Sequence, residues 1–249
     1  MAEQTSVVRD VFVLFGQAIK RLWAWPWRIQ EIMGLIVQIG IGSLPIIALS
    51  TAFAGMVITI EMAWHMDEAL HTISMIPGFS GQFILRELGI AVPALLIVSK
   101  VGASITAEIG SMKVTEQIDA LKLLRIDPVD YLVFPRFIAC ILSVTCLTLI
   151  SIAVTLAFAM GIAVLRFHFS TLEYINALRH FIGYKDLFAA VVKGMVFGAV
   201  IPIISCVYGF RCRGGAEGVG SATTDSVVAS TSTVIFLDFV LTFVFTRVF

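Results

Sequence analysis

From Ile32 to Ile60 the chain runs for 29 residues without one charged side chain. As a helix such a run is about 44 Å long at about 1.5 Å per residue. The hydrocarbon core of a bilayer is only about 30 Å thick. The run is therefore long enough to cross a membrane with residues to spare, and Gly40, Gly42 and Pro45 sit where a break would take up the excess. This predicts an interfacial stretch to about Ser43, then a first span over roughly 44–64. Further apolar stretches of membrane length follow over about 84–108, 137–165, 187–209 and 227–246. The expected fold is an all-α integral membrane bundle with five transmembrane helices, its two termini on opposite sides. We read a single domain over 1–249, with an amphipathic interfacial region at 7–43 and a five-span bundle at 44–249.

Composition supports the same class. Hydrophobic residues make up 59% of the 249 residues and charged residues 14%, against about 45–50% and 25% in soluble domains. That excess cannot be hidden in one globular core, so an ordinary soluble enzyme, a disordered chain and a disulfide-stapled secreted domain are excluded. Lys and Arg balance Asp and Glu at zero net charge, and nothing points to nucleic acid. Cys140, Cys146, Cys206 and Cys212 lie in or beside apolar stretches and read as small apolar packing residues. The opening Met-Ala-Glu-Gln-Thr-Ser does not read as a signal peptide, so the spans themselves are expected to direct insertion.

Residues 7–23 show helical periodicity, with Val8, Val11, Phe12, Phe15, Ile19, Leu22 and Trp23 on one face and Arg9, Asp10, Gln17, Lys20 and Arg21 largely on the other. An amphipathic helix lying in the interface is expected, followed by an aromatic belt at Trp23, Trp25 and Trp27 around Pro26. Lys and Arg are more frequent in the N-terminal region and the 111–130 and 210–225 loops than in the other connections. The positive-inside rule then puts the N-terminus and those loops in the cytoplasm and the C-terminus on the far side.

Enzyme motifs are missing. His65 and His71 are six apart, off the shared face of a zinc site. No nucleophile elbow occurs. The glycine-rich run from Gly214 to Gly220 has no following Lys-Ser/Thr, so ATP hydrolysis is expected on another chain. Charges inside or near spans stand out instead: Glu61, Arg86, Glu87, Lys100, Glu108, Lys193 and Asp238. An ionisable group costs about 2.5–3.5 kcal/mol at a bilayer centre on insertion scales. Two readings stand: a polar pathway or headgroup site, and structural pairing inside the bundle. Adjacent Arg86 and Glu87 cannot share a helix face, so each needs its own partner. Gly194 and Gly198, four apart, permit close helix approach. The polar stretch at 114–122 reads as a short helix, with Thr115 as cap and Asp127-Pro128 as terminator. It is either a connector or a helix that transmits force by docking in a partner's groove.

That stretch, VTEQIDALKLLRIDPVDY from Val114 to Tyr131, resembles the hallmark of MlaE-type permeases, the membrane subunits of ABC lipid transporters that work with MCE-domain proteins. SLPIIALSTAFAGMV from Ser43, RELGIAVPALLIVSKVGASITAEIGSMK from Arg86 and GGAEGVGSATTDSVV from Gly214 are similar to further blocks of that family, and Asp238 falls where the family carries an aspartate. The resemblance implies a non-catalytic homodimeric permease in the bacterial inner membrane, moving a phospholipid or similar amphiphile. It implies a cytoplasmic coupling helix at about 115–123 docking on an ABC ATPase through Glu116, Gln117, Asp119 and Leu121. It implies no cofactor on this chain, with ATP and magnesium on the ATPase. An MCE-domain lipid-binding protein and a small ATPase-associated regulatory protein are the other implied partners. A lipid cavity lined by the first and last spans is implied, for which Phe53, Val57, Ile60, Glu61, Trp64 and Arg86 are the positional candidates. Arg86 and Lys193 could supply positive charge for a phosphate. Glu61 stands where the family usually has Gln, and Lys100 where it usually has Arg. The alternatives are a membrane-embedded lipid-modifying enzyme, which needs a positioned base, nucleophile or metal, and a secondary transporter taking protons on Asp238 or Glu61.

Overall fold

The computed structural model describes residues 2–21, 28–70 and 75–248. Among these residues every regular element is a helix and no strand occurs, so the all-α membrane architecture is the one adopted. Five helical stretches are long and apolar enough to cross a bilayer: Ile29–Met66, Ile76–Val114, Val129–Phe167, Tyr184–Arg211 and Gly215–Val248. Trp23, Trp25, Pro26, Trp27 and His71 lie outside the described residues.

The first span corrects the expected break. It runs as α2 (Ile29–Ile36), a wide π turn (Val37–Ile41) and α3 (Gly42–Leu70), without unwinding. Pro45 lacks an N–H, and its ring crowds the carbonyl four residues back, on Ile41. One wide turn ending at Ile41 relieves that clash while the helix continues. The second span repeats the device. It comprises α4 (Ile76–Phe83), a π turn (Ile84–Leu88), α5 (Gly89–Ile97) with Pro93 inside, a second π turn (Val98–Gly102) and α6 (Ala103–Val114). The third span begins with a π turn (Val129–Val133) and continues as α8 (Phe134–Phe167).

The expected Gly-rich loop at 210–225 is also corrected. α10 (Tyr184–Arg211) is followed almost at once by α11 (Gly215–Val248). Gly214 and Gly215 take φ of +89° and +71°, which only glycine adopts without strain, and they complete the reversal. The Ser, Ala and Thr residues after them continue as helix.

The chain forms two compact units. The first holds Met1–Ser43, Leu95–Val144 and Met195–Leu237. There α1 (Ala2–Arg21) is the expected amphipathic helix. Phe15 meets Phe137 edge-on at 6.1 Å, and Ala18 is fully buried. Thr106, Ser205 and Ser226 join three helices through hydroxyl and carbonyl contacts of 2.7–3.1 Å, which satisfies polar groups that lipid would leave unpaired. Gly198 lets α10 approach α8 so closely that an added Cβ would lie 2.8 Å from the Cys140 carbonyl oxygen and the Ile141 Cα. Backbone cannot yield there, so Gly198→Ala is expected to cost about 1–3 kcal/mol. Gly161, in the part of α8 that belongs to the second unit, has nothing within 4 Å of a built Cβ. Gly161→Ala is expected to be neutral or to stabilise by up to about 1 kcal/mol through helix propensity. Thermal melts of the two variants in one detergent check the contrast.

The second unit holds Leu44–Ala94, Thr145–Gly194 and Asp238–Phe249. α9 (Thr171–Phe181) starts with a capping box, the Ser170 N–H donating to Glu173 Oε2 at 2.9 Å. It packs on α4 where Gly78 and Gly81 leave room for Phe181 and Leu178. Along α3, Ile47, Thr51, Gly55, Thr59 and Ala63 recur every four residues and are buried. The Thr51 and Thr59 hydroxyls turn back to the Ile47 and Gly55 carbonyls at 2.7 and 2.8 Å.

Candidate functional site

The intramembrane charges resolve into separate groups. In the second unit, Lys193 on α10 is only 3% exposed at its side chain. Its ammonium donates to the Arg86 carbonyl at 2.8 Å, to Thr242 Oγ1 at 2.7 Å and to Glu87 Oε1 at 3.3 Å. Those contacts use its three protons. Asp238 Oδ1 lies 2.8 Å from the same nitrogen as a charge contact without an aligned hydrogen bond. The Thr242 hydroxyl donates in turn to Glu87 Oε1 at 2.8 Å. Glu87, Lys193 and Asp238, far apart in sequence, are thus one cluster, with Thr242 a member that residue spacing did not reveal.

Arg86 takes the other direction, as two adjacent residues on a helix must. Its Nε donates to Asp186 Oδ1 at 2.7 Å. Asp186 Oδ2 accepts from the Gly183 N–H at 3.0 Å and so holds the start of α10. A cleft of about 200 Å³ opens here, lined by Arg86, Glu87, Lys185, Asp186, Lys193 and Thr242 together with Ala189, Phe245 and Thr246. At about 30 Å³ per water it has room for roughly half a dozen waters. The positive charge expected of Lys193 toward a phosphate is already met by two carboxylates of its own unit.

Of the residues expected to line a lipid cavity, Phe53, Val57, Ile60, Glu61 and Trp64 fall together on one exposed face of α3, opposite its buried stripe. Arg86 is not with them but in the charged cluster. The first and last spans have only 22% and 11% of their most apolar windows buried, against 50–56% for the other spans. An apolar helix left so open must be covered by lipid or by another protein surface.

In the first unit, Glu108 pairs with Arg136 at 2.7 Å, and the nearly buried guanidinium also donates to the Leu132 carbonyl. Lys100 is exposed and donates to the Gly42 carbonyl.

The short polar helix is α7 (Gln117–Leu123), two residues shorter at its start than expected. Thr115 does not cap it. Its hydroxyl donates backwards to the Ser111 carbonyl at 2.8 Å. The chain turns instead at Glu116, which takes a left-handed φ of 58°. The helix ends at a second left-handed residue, Arg125, before Asp127-Pro128. Asp127 starts the following helix, its Oδ1 accepting from the Val129 N–H at 2.9 Å. Ile118 anchors α7 in the unit, while Glu116, Gln117, Leu123 and Leu124 are exposed and Leu121 is half-buried.

Asp119 accepts from Lys122 and Lys113, each at 3.0 Å. The Lys122 hydrogen bond, then that of Lys113, holds its carboxyl below the ordinary value of 3.8. A depressed carboxylate contributes its stabilisation above its unfolded value and loses it as pH falls through the folded one. The pairing is therefore expected to persist unchanged through the neutral range and to fail only in acid below 3.8. Carboxyl NMR titration of Asp119 checks this, and Lys122→Ala should bring its midpoint back up.

Helices that cross a bilayer, with their ionisable groups largely matched to one another, define a multi-pass integral membrane protein. Comparison with known proteins makes the class specific. The family model described as Permease MlaE matches residues 32–244. A probable ABC transporter permease protein of Rickettsia felis is 36% identical over 240 residues, covering 95% of this chain and 92% of the relative. One from Synechocystis sp. is 36% identical over 230 residues, covering 92% and 87%. One from Pyropia yezoensis is 35% identical over 233 residues, with the same coverage. The chain belongs to the MlaE permease family. It is the non-catalytic membrane subunit of an ABC transporter, and its ATPase is a separate partner.

Proposed function

We propose that two copies of this chain form a permease that moves a phospholipid or similar amphiphile between the bacterial inner membrane and an MCE-type lipid-binding protein. ATP and magnesium are bound by the ATPase partner, on which α7 docks, and a small regulatory protein accompanies that ATPase. The N-terminus is cytoplasmic and the C-terminus periplasmic. The observation that carries the reading is the exposed face of α3. Phe53, Val57, Ile60 and Trp64 give an apolar wall suited to lipid tails, and Glu61 gives a polar point for a headgroup. A second copy would close that wall into a cavity. Membership of a permease family sets aside the lipid-modifying enzyme and the proton-driven carrier.

The test is native mass spectrometry of the tagged full-length chain, purified from its own membranes in mild detergent. The expected species is a dimer carrying two ATPase subunits, MCE-type chains and bound phospholipid. A bare monomer without lipid, under conditions that preserve a control ABC complex, would overturn the proposal.

A further inference from the structure

A second cavity is lined by residues other than those of the exposed α3 face. It belongs wholly to the first unit and measures about 560 Å³. Val8, Val11, Phe12 and Phe15 of α1 form one wall. Ile203, Ile204 and Tyr208 of α10 form the second, and Ala229, Thr233 and Leu237 of α11 the third. An apolar space of this kind does not hold ordered water, which needs two to four polar partners. We propose that it is a binding site for one acyl tail of a membrane phospholipid, held between the N-terminal helix and the bundle.

Size, medium and charge each bear on the occupant. If a methylene takes about the 30 Å³ of a water, the cavity accepts roughly 15–20 carbons, which is one tail and not two. Two of its walls are membrane-spanning helices, so the surrounding medium is acyl chain. The third wall is an amphipathic helix with Val8, Phe12 and Val13 exposed, the pattern of a helix seated at the level where tails meet headgroups. Charge marks the headgroup end. Arg211 lies one turn beyond Tyr208 and meets Asp10 of α1 at 3.5 Å, while Arg9 is exposed beside Val8. A guanidinium matches a phosphate in charge and hydrogen-bond geometry, so Arg9 and Arg211 are the groups that would meet the headgroup of such a lipid. The lipid would act as a wedge that sets how firmly α1 is held, whether or not the α3 face carries cargo.

The test uses the full-length chain in nanodiscs of phosphatidylethanolamine and phosphatidylglycerol, doped with a phosphatidylcholine carrying a diazirine midway along one tail. After irradiation, labelled residues are mapped by peptide mass spectrometry. Labelling is expected to concentrate at 7–15, 200–208 and 229–237, at least about five-fold above exposed Phe158 and Leu165 of α8. Ala229→Leu and Thr233→Phe together narrow the space from the α11 wall and should lower cavity labelling several-fold, while Phe158 labelling stays constant and reports an intact fold. Cavity labelling no stronger than at Phe158 in the unmodified chain would overturn the proposal, as would cavity labelling unchanged by the double substitution. Labelling by a diazirine fatty acid alone, with none from the phospholipid, would overturn the phospholipid as occupant. Cross-links to a second copy of the chain at these residues would overturn a lipid occupant altogether.

Discussion

Replacing Lys193 by methionine is expected to lower the melting temperature of the detergent-solubilised protein by roughly 6–20 °C. The shape of the side chain is nearly kept, so the loss is one of charge. Without the ammonium, Glu87 and Asp238 face each other in a partly closed, low-dielectric place, and the Arg86 carbonyl and Thr242 lose their donor. Removing one partner of a buried ion pair costs about 3–5 kcal/mol, and about 2–4 °C of melting temperature follows each kcal/mol in a chain of this size. The cluster is also unbalanced, with one cation against two carboxylates. Asp238→Asn removes the contact that lacks an aligned hydrogen bond and leaves Lys193 its three acceptors. Its effect should be roughly a third of the Lys193 loss or less. Combining Lys193→Met with Glu87→Gln and Asp238→Asn should recover most of the stability. A Lys193→Met protein that melts with the parent, or an Asp238→Asn protein as damaged as Lys193→Met, would show that the cluster is not held by this charge balance.

How much of this was legible in the sequence varies with the range of the interaction. Long apolar runs are a property of the chain alone, and they located the five spans even where a run carries a charge such as Lys100, Lys193 or Asp238. The α1 periodicity was equally local. The Arg86 and Glu87 split follows from helix geometry, since neighbours in sequence point about 100° apart. What they point at does not follow. Lys193 stays open in the sequence between a headgroup site and pairing inside the bundle, because its neighbours across the helix interfaces, Glu87 and Asp238, lie on other spans, and spacing along the chain says nothing about lateral partners. The Gly-rich block read as a loop because glycine weakens isolated helices. Here only Gly214 and Gly215 take the turning conformation, and the rest continue as helix. Thr115 read as a cap because its residue type favours one, yet the left-handed turn at Glu116 already performs the reversal. The apolar pair Leu123 and Leu124 stands in the string ALKLL, but two adjacent leucines in a sequence do not show whether they are buried or exposed.

That pair decides the second large effect. Leu123 is 86% exposed and Leu124 69%, at the end of a helix anchored by Ile118. Two leucines held in water on a rigid element are the apolar anchors that a partner groove would bury. Burial of both is worth about 2–4 kcal/mol, which corresponds to a loss of roughly 30- to 1,000-fold in affinity when they are removed. Replacing both by serine is therefore expected to strip the chain of the ATPase that co-purifies with the parent, and with it any ATP hydrolysis by the complex. Asp119→Asn should change that association only a few-fold, because its charge is already satisfied within the protein by Lys113 and Lys122. Leu165→Ser, at an equally open site on α8, serves as control and should leave the ATPase bound. Size-exclusion profiles and ATP turnover of the three purified complexes would separate the cases. If the double serine variant keeps its ATPase while Asp119→Asn loses it, recognition runs through the acidic face of α7, and the leucines serve the membrane surface instead.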